Sequence, residues 1–202
     1  SPCIDAGDPD SDGDGEDYTS DTDDRDPDGT RLDMGAYYYH QEQDIYGCTD
    51  PEATNYNPDS NLDDGSCCIE LWGECYNIEE TTELNLSESG LTGEIPLEIG
   101  QLTNLTHLQL NNNQLTGSIP SEIGSLTDLT GLFLHHNSLT GSIPSSIGNL
   151  TNLIRLSLFE NNLTTGEIPS WIENLMNLTE LNLTGCGLIG EIPSWIGNLT
   201  NL

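Results

Sequence analysis

From Glu83 onward the apolar residues of this chain fall in a pattern that returns every 24 or 25 residues. Each turn of the pattern opens with Leu-x-Leu, at Leu84/Leu86, Leu108/Leu110, Leu132/Leu134, Leu156/Leu158 and Leu181/Leu183. Alternation over three residues predicts a short strand with both leucines on one side. A single leucine follows (Leu91, Leu115, Leu139, Leu163, Leu188), then Gly-x-Ile-Pro, then a returning apolar set such as Ile99, Leu102 and Leu105. The Gly-x-Ile-Pro copies begin at Gly93, Gly117, Gly141, Gly166 and Gly190, so only the third interval is a residue longer. A unit of this length cannot bury its apolar face alone and must stack on its neighbours, which predicts a solenoid.

In full, the register reads Leu-x-x-Leu-x-Leu-x-x-Asn-x-Leu-x-Gly-x-Ile-Pro, and over residues 83–202 it resembles the plant-type leucine-rich repeat. The resemblance implies a leucine-rich repeat solenoid of the α/β class, with short parallel strands, a 3-10 or irregular convex side, and five repeats of which the last is truncated. It also implies that Asn113, Asn137 and Asn161 point inward and bond backbone groups of adjacent turns. Ser89 and Cys186 stand at that position in the first and last repeats, which makes Cys186 a small buried thiol in the ladder rather than a nucleophile. Thr164-Thr165 carries the extra residue and is expected to bulge on a loop without breaking the stack.

Strand alternation turns the residues beside the leucines outward, onto the concave face. Among them His107, Gln109, Phe133, His135, Arg155 and Phe159 form the candidate ligand-binding patch. Phe133 and Phe159 are the only phenylalanines; placed on strands about 5 Å apart, their rings are expected to face solvent and to bury together against a partner. The competing reading is that the two aromatics only stiffen cross-strand packing. His135-His136 makes a poor metal pair if adjacent strand residues point to opposite sides.

Before Glu83 the composition changes. Of the 35 acidic residues, 20 fall at or before Asp64, while the fixed positive charges are Arg25, Arg31 and Arg155 alone. A formal charge of -32 opposes binding to nucleic acid or an anionic membrane and makes cations the expected partners, general adaptation to a salty medium being the alternative. Asp10, Asp12 and Asp14 alternate, Gly15 permits a sharp turn and Asp21 stands twelfth, which is the ligand spacing of a calcium loop. Asp24, Asp26 and Asp28 with Gly29 begin a second such run. Calcium is therefore the expected structural cofactor; flanking helices are lacking, and the alternative is a solvated acidic linker. Ser1-Pro-Cys-Ile-Asp-Ala-Gly-Asp and Asp33-Met-Gly-Ala-Tyr frame this run, and together they resemble the last turn of right-handed parallel β-helix domains of secreted bacterial proteins.

The organisation expected is thus a β-helix-like ending with the calcium-loop candidate (1–40), a linker and cysteine-framed module (41–67), a disulfide cap (68–82) and the repeats (83–202). Cys48 and Cys67 bracket a segment too poor in apolar residues for a core, similar to a module of large secreted proteins of marine bacteria. There Asp59, Asn61 and Asp63 alternate again, although Gly65 comes one position late for a calcium loop. Cys68 and Cys75 flank Trp72-Gly73, which resembles the amino-terminal cap of plant-type leucine-rich repeat proteins. Such a cap covers both the apolar edge and the unpaired strand of the first coil, here with Leu71 and Trp72. The simplest pairing is Cys48 with Cys67 and Cys68 with Cys75, although sequence alone allows other connectivities. Disulfides point to an oxidising compartment, extracellular or at the cell surface.

The sequence holds no nucleophile-base pair, phosphate-cradling glycine loop or convergent acid pair on the repeats. The leading expectation is an extracellular or cell-surface binding and adhesion segment whose concave face recognises protein or glycan. The alternatives are a non-catalytic accessory tail of a secreted polysaccharide-active β-helix enzyme, or a structural surface spacer. No apolar run approaches a membrane span, and the seven Asn-x-Ser/Thr triplets arise from the repeat itself.

Overall fold

The computed structural model describes residues 44–164 and 166–202. The calcium-loop candidates Asp10, Asp12, Asp14, Asp21, Asp24, Asp26 and Asp28, the β-helix-like ending and Thr165 lie outside the described residues.

The amino-terminal part holds two small ladders. Strands β1 (Tyr46–Gly47) and β2 (Leu62–Asp63) pair in parallel, and the Cys48–Cys67 disulfide closes the loop between them. Strands β3 (Cys68–Leu71) and β4 (Glu74–Asn77) form an antiparallel hairpin with Leu71 opposite Glu74. Two residues, Trp72 (φ 50°) and Gly73 (φ 87°), make its turn; positive φ at both positions gives the backbone twist that matches a right-twisted hairpin. Cys68–Cys75 is the second disulfide, tying the hairpin across its two strands.

The repeats follow as β5 (Glu83–Asn85), β6 (Thr92–Glu94), β7 (His107–Gln109), β8 (Gln114–Thr116), β9 (Gly131–Phe133), β10 (Arg155–Ser157) and β11 (Glu180–Asn182). Strands β5, β7, β9, β10 and β11 form one parallel sheet in that order, with Leu84, Leu108, Leu132, Leu156 and Leu181 in register. The longer interval, from Gly141 to Gly166, leaves the register intact, since Gly166 bridges Leu188 beyond it. The periodicity does not announce the second ladder of β6 with β8, which continues as a bridge between Ser118 and Thr140.

Each Gly-x-Ile-Pro launches a 3-10 turn: Leu97–Gln101, Ser121–Ser125, Ser145–Asn149, Ser170–Asn174 and Ser194–Asn198. The preceding proline has φ between -60° and -68°, a value its ring imposes. The Ile99 amide then donates to the Pro96 carbonyl (3.2 Å), Leu102 to Ile99 (3.2 Å) and Leu105 to Leu102 (3.0 Å). Apolar residues three apart stay on one side because a 3-10 turn has about three residues. Hence Ile99, Leu102 and Leu105 all point inward and are fully buried. Coils approach closely here: a Cβ on Gly124 would sit 2.6 Å from the Ser146 carbonyl oxygen of the next coil.

Ile69 and Leu71 of the hairpin are fully buried and belong to the same continuous core as Leu84, Ile99 and the later leucines. Leu71 therefore covers the apolar edge as expected, with Trp72 packed against it half-buried and Ile69 as a second anchor that the motif did not single out. One part of the expectation fails. The hairpin forms its own sheet, and β5 remains an edge of the parallel sheet with β7 as its neighbour. The cap thus buries the end of the core through side chains and leaves the first strand without a backbone partner from the cap.

Candidate functional site

The concave sheet is held from behind by the asparagine ladder. Asn137 accepts from the Leu115 amide (Oδ1, 3.0 Å) and donates through Nδ2 to the carbonyls of Leu110 (2.9 Å) and Leu134 (3.0 Å), which ties two coils. Asn113 and Asn161 make the same three contacts one coil away on either side. Cys186 keeps one of them, its Sγ donating to the Leu158 carbonyl at 3.2 Å, and burial pushes its thiol up to about 11 with Glu160 adding to the shift. Ser89 bonds only the Ser87 carbonyl nearby (3.3 Å).

The residue before each ladder position pays for this geometry in backbone conformation. Glu88, Asn112, His136 and Glu160 all have φ between 53° and 57°, and Gly185 (69°) ends the series. The left-handed turn ends the strand direction just beyond Leu134, which decides where His136 goes.

On the face itself, Glu83, His107, Gly131, Arg155 and Glu180 form one cross-strand row, and Asn85, Gln109, Phe133, Ser157 and Asn182 form the next. Phe133 belongs to the second row, whereas Phe159 lies just beyond the end of β10, so the two rings do not share a row. Instead the Phe133 ring folds back over Gly131: a Cβ there would meet Phe133 Cε2 at 2.8 Å and His107 Cδ2 at 3.0 Å. Phe159 stacks on His135, with centroids 4.4 Å apart and planes 10° from parallel. His135 links the two aromatics, its ring 6.4 Å from that of Phe133 in an edge-on arrangement.

His136 also joins this cluster, 4.8 Å from Phe159 and 5.7 Å from His135 between centroids. The opposite-sides argument fails for this pair because strand geometry has already ended at the left-handed residue. Its ring was missed by alternation; the signal that could have found it was its place immediately before a ladder asparagine. His135 is half-buried, and burial, then the neighbouring His136, holds its imidazole below its ordinary value. Its Nδ1 is enclosed without a hydrogen-bond partner.

The remaining predicted residues sit around this centre. His107 Nδ1 lies 3.1 Å from Thr106 Oγ1 and 3.9 Å from Glu83 Oε1, Arg155 Nε lies 3.6 Å from Glu180 Oε1, and Gln109 is half-buried beside Phe133 in the sheet. The arrangement is an open aromatic platform with basic groups at its margins. Among the described residues no group of three or more His, Cys, Asp or Glu is placed to hold a metal ion. In the cysteine-framed module, Asn61 Oδ1 accepts from the Ile45 amide (2.8 Å) and Asp63 Oδ1 from the Gly65 amide (3.0 Å), so both brace backbone.

A further ladder runs along the outer turns, unmarked in the sequence reading. Asn104, Asn152, Asn177 and Asn201 each donate Nδ2 to a carbonyl of the preceding coil, at 2.7 to 3.0 Å. Two of these, Asn104 and Asn177, head Asn-Leu-Thr triplets and so have their amides already engaged.

The sequence model described as "Leucine-rich repeat region" matches residues 83–182, and that described as "Leucine Rich Repeat" matches residues 177–199. No curated protein matches the chain in sequence. Among solved structures, the plant peptide hormone receptor RGFR1 in complex with RGF2 is 44% identical with TM-score 0.60, covering 62% of this chain and 20% of its own. The Arabidopsis receptor kinase HAESA, in complex with the peptide hormone IDA and the co-receptor SERK1, is 42% identical with TM-score 0.59 over 60% of this chain and 20% of its own. The ectodomain of the receptor kinase SOBIR1 from Arabidopsis thaliana is 36% identical with TM-score 0.55 over 59% of this chain and 65% of its own. The chain thus spans about a fifth of the length of the first two. No helix among the described residues is long and apolar enough to cross a membrane.

Proposed function

We propose that this chain, whose residues 83–199 are a leucine-rich repeat region, is an extracellular binding segment that takes a peptide or protein ligand on its concave face. The observation that carries this is the aromatic cluster of Phe133, His135, His136 and Phe159, half-buried or exposed on an open sheet whose other outward positions are small or polar. Rigid rings that expose apolar area at low conformational cost are the usual anchors of recognition. The neighbours support the reading: HAESA and RGFR1 were solved with peptide hormones bound. The two disulfides support the extracellular part of the reading, since such bonds persist in oxidising compartments.

The test is panning of a random peptide library on the full chain. Recovered peptides should bind Phe133→Ala/Phe159→Ala at least roughly tenfold more weakly, the loss expected for a buried hot-spot pair. Thermal melting should stay near that of the parent chain, because neither ring contributes to the buried core. Equal affinity for parent and variant sinks the assignment.

A further inference from the structure

Within residues 44–202 the basic side chains are His107, His135, His136 and Arg155, and all of them stand on the concave sheet or at its carboxy-terminal rim. Among the described residues the rest of the acidic surface has none. Chance does not readily concentrate every basic group on one face of a repeat scaffold whose own needs, the leucines and the ladder asparagines, are met at other positions. The basic groups also surround the aromatic platform. His107 flanks the Phe133 ring over Gly131, Arg155 is Gly131's partner on the next strand, and His135 and His136 both pack on Phe159.

We propose that the ligand is an acidic peptide segment, carrying Asp or Glu carboxylates beside an apolar side chain, and that its binding takes up protons on the histidines. The proposal rests on the concave-face reading above and adds the chemistry of the ligand. The apolar side chain seats on Phe133 and Phe159, and the carboxylates meet Arg155 and the imidazolium groups. The acidic groups facing this site are Glu83 on β5, 3.9 Å from His107, and Glu180 on β11, 3.6 Å from Arg155. Both pairs are largely exposed, and such pairs are weak, so a ligand carboxylate can displace them. Glu160 follows Phe159 but turns toward the next coil, its Oε1 3.3 Å from the Cβ position of Gly185. Glu88 stands at the corresponding position of the first repeat, beyond the basic groups.

Imidazoles gain charge as pH falls through the range of about 8 to 5, whereas ligand carboxylates stay ionised there. Affinity for an acidic peptide therefore rises as pH falls, and a bound anion favours the charged imidazole in return. Elsewhere on the surface the negative charge repels such a ligand, which confines binding to this patch.

The experiment pans random twelve-residue peptides on the full chain at about pH 5.5, near the lower end of the imidazole range, and measures recovered binders by calorimetry at that pH and at about 7.5. The expected result is enrichment of Asp and Glu over Lys and Arg next to apolar residues, with affinity falling roughly tenfold at the higher pH. His135→Gln/His136→Gln should flatten the pH dependence, and Arg155→Gln should weaken binding of the acidic peptides by a similar factor at both pH values. Recovery of basic or uncharged peptides, recovery of nothing, or affinity independent of pH overturns the proposal. If the recovered peptides are not acidic yet lose binding in Phe133→Ala/Phe159→Ala, only the ligand chemistry falls. If no peptide responds to that double variant, the concave-face reading falls with it.

Discussion

Around Cys48 the buried apolar set is Cys48, Ala53 and Cys67, with Ile78 packed against it, whereas the repeats bury one continuous file from Ile69 to Leu199. The two regions solve the same problem with different resources. In the amino-terminal module a disulfide limits the unfolded chain, and side chains brace turns that have no core beneath them. Asp50, Asn57, Asp63 and Asp64 each accept an amide two residues ahead, at 2.9 to 3.1 Å. The Ser66 hydroxyl and amide hold the exposed Asp64 carboxyl below the ordinary carboxylate value. In the repeats no covalent link is used. Each coil is completed by the next, through leucines that face inward and asparagines that bond across the gap. The difference teaches that an acidic segment poor in apolar residues folds here by local closure, and a leucine-rich one by propagation.

The comparison can be broken most severely at the staple. Cys48→Ser/Cys67→Ser should remove about 3 kcal/mol of stability from residues 45–67, the loop-closure contribution for this separation. Hydrogen exchange should show that loss confined to the module, while protection at Leu108 and Leu132 is kept. Uniform loss across the repeats would show that the regions are not separable. A smaller break lies inside the ladder. Asn137→Ala leaves buried backbone groups of two coils without partners and should cost about 2 kcal/mol by chemical denaturation. Its effect should reach both neighbouring coils, unlike that of the disulfide.

Two changes sharpen the picture instead. Cys186→Asn restores the donor and acceptor that the other ladder positions have, and should raise stability by about 1 kcal/mol. No gain in the denaturation midpoint would show that the last coil does not need the full ladder contact. The same residue also carries a pH dependence. The folded state raises the Cys186 thiol to about 11 from an ordinary value of 9.0, so the unfolded chain loses its proton first. This contribution to stability is present below pH 9.0 and declines as pH rises toward 11. The decline should vanish in Cys186→Asn, measured as the difference in melting temperature across that range.

Much of the scaffold was legible in the residues. Leu-x-Leu marks each strand of the parallel sheet, Pro followed by apolar residues three apart marks each 3-10 turn, and Asn113, Asn137 and Asn161 take the inward ladder positions. Spacing decides these features because period and side-chain chemistry leave one way to bury the leucines. The cap was legible only in part. Leu71 covers the core, but whether the hairpin also pairs with β5 depends on the angle at which it docks, which no residue in the segment specifies.

For the candidate site, alternation gave the face and not the arrangement. Outward side chains are free of the core, so their rotamers are set by whatever stands beside them on the next strand. Gly131 opens the space into which Phe133 folds, and the stack of Phe159 on His135 leaves Phe133 at a distance. His136 reaches the cluster because the ladder asparagine after it demands a left-handed backbone turn, a demand that strand periodicity does not carry. The sequence by itself determined the repeating unit and its buried contacts. Only the stacking of one coil on the next decided which side chains meet on the open face, because those neighbours are 24 residues apart along the chain and one strand apart in space.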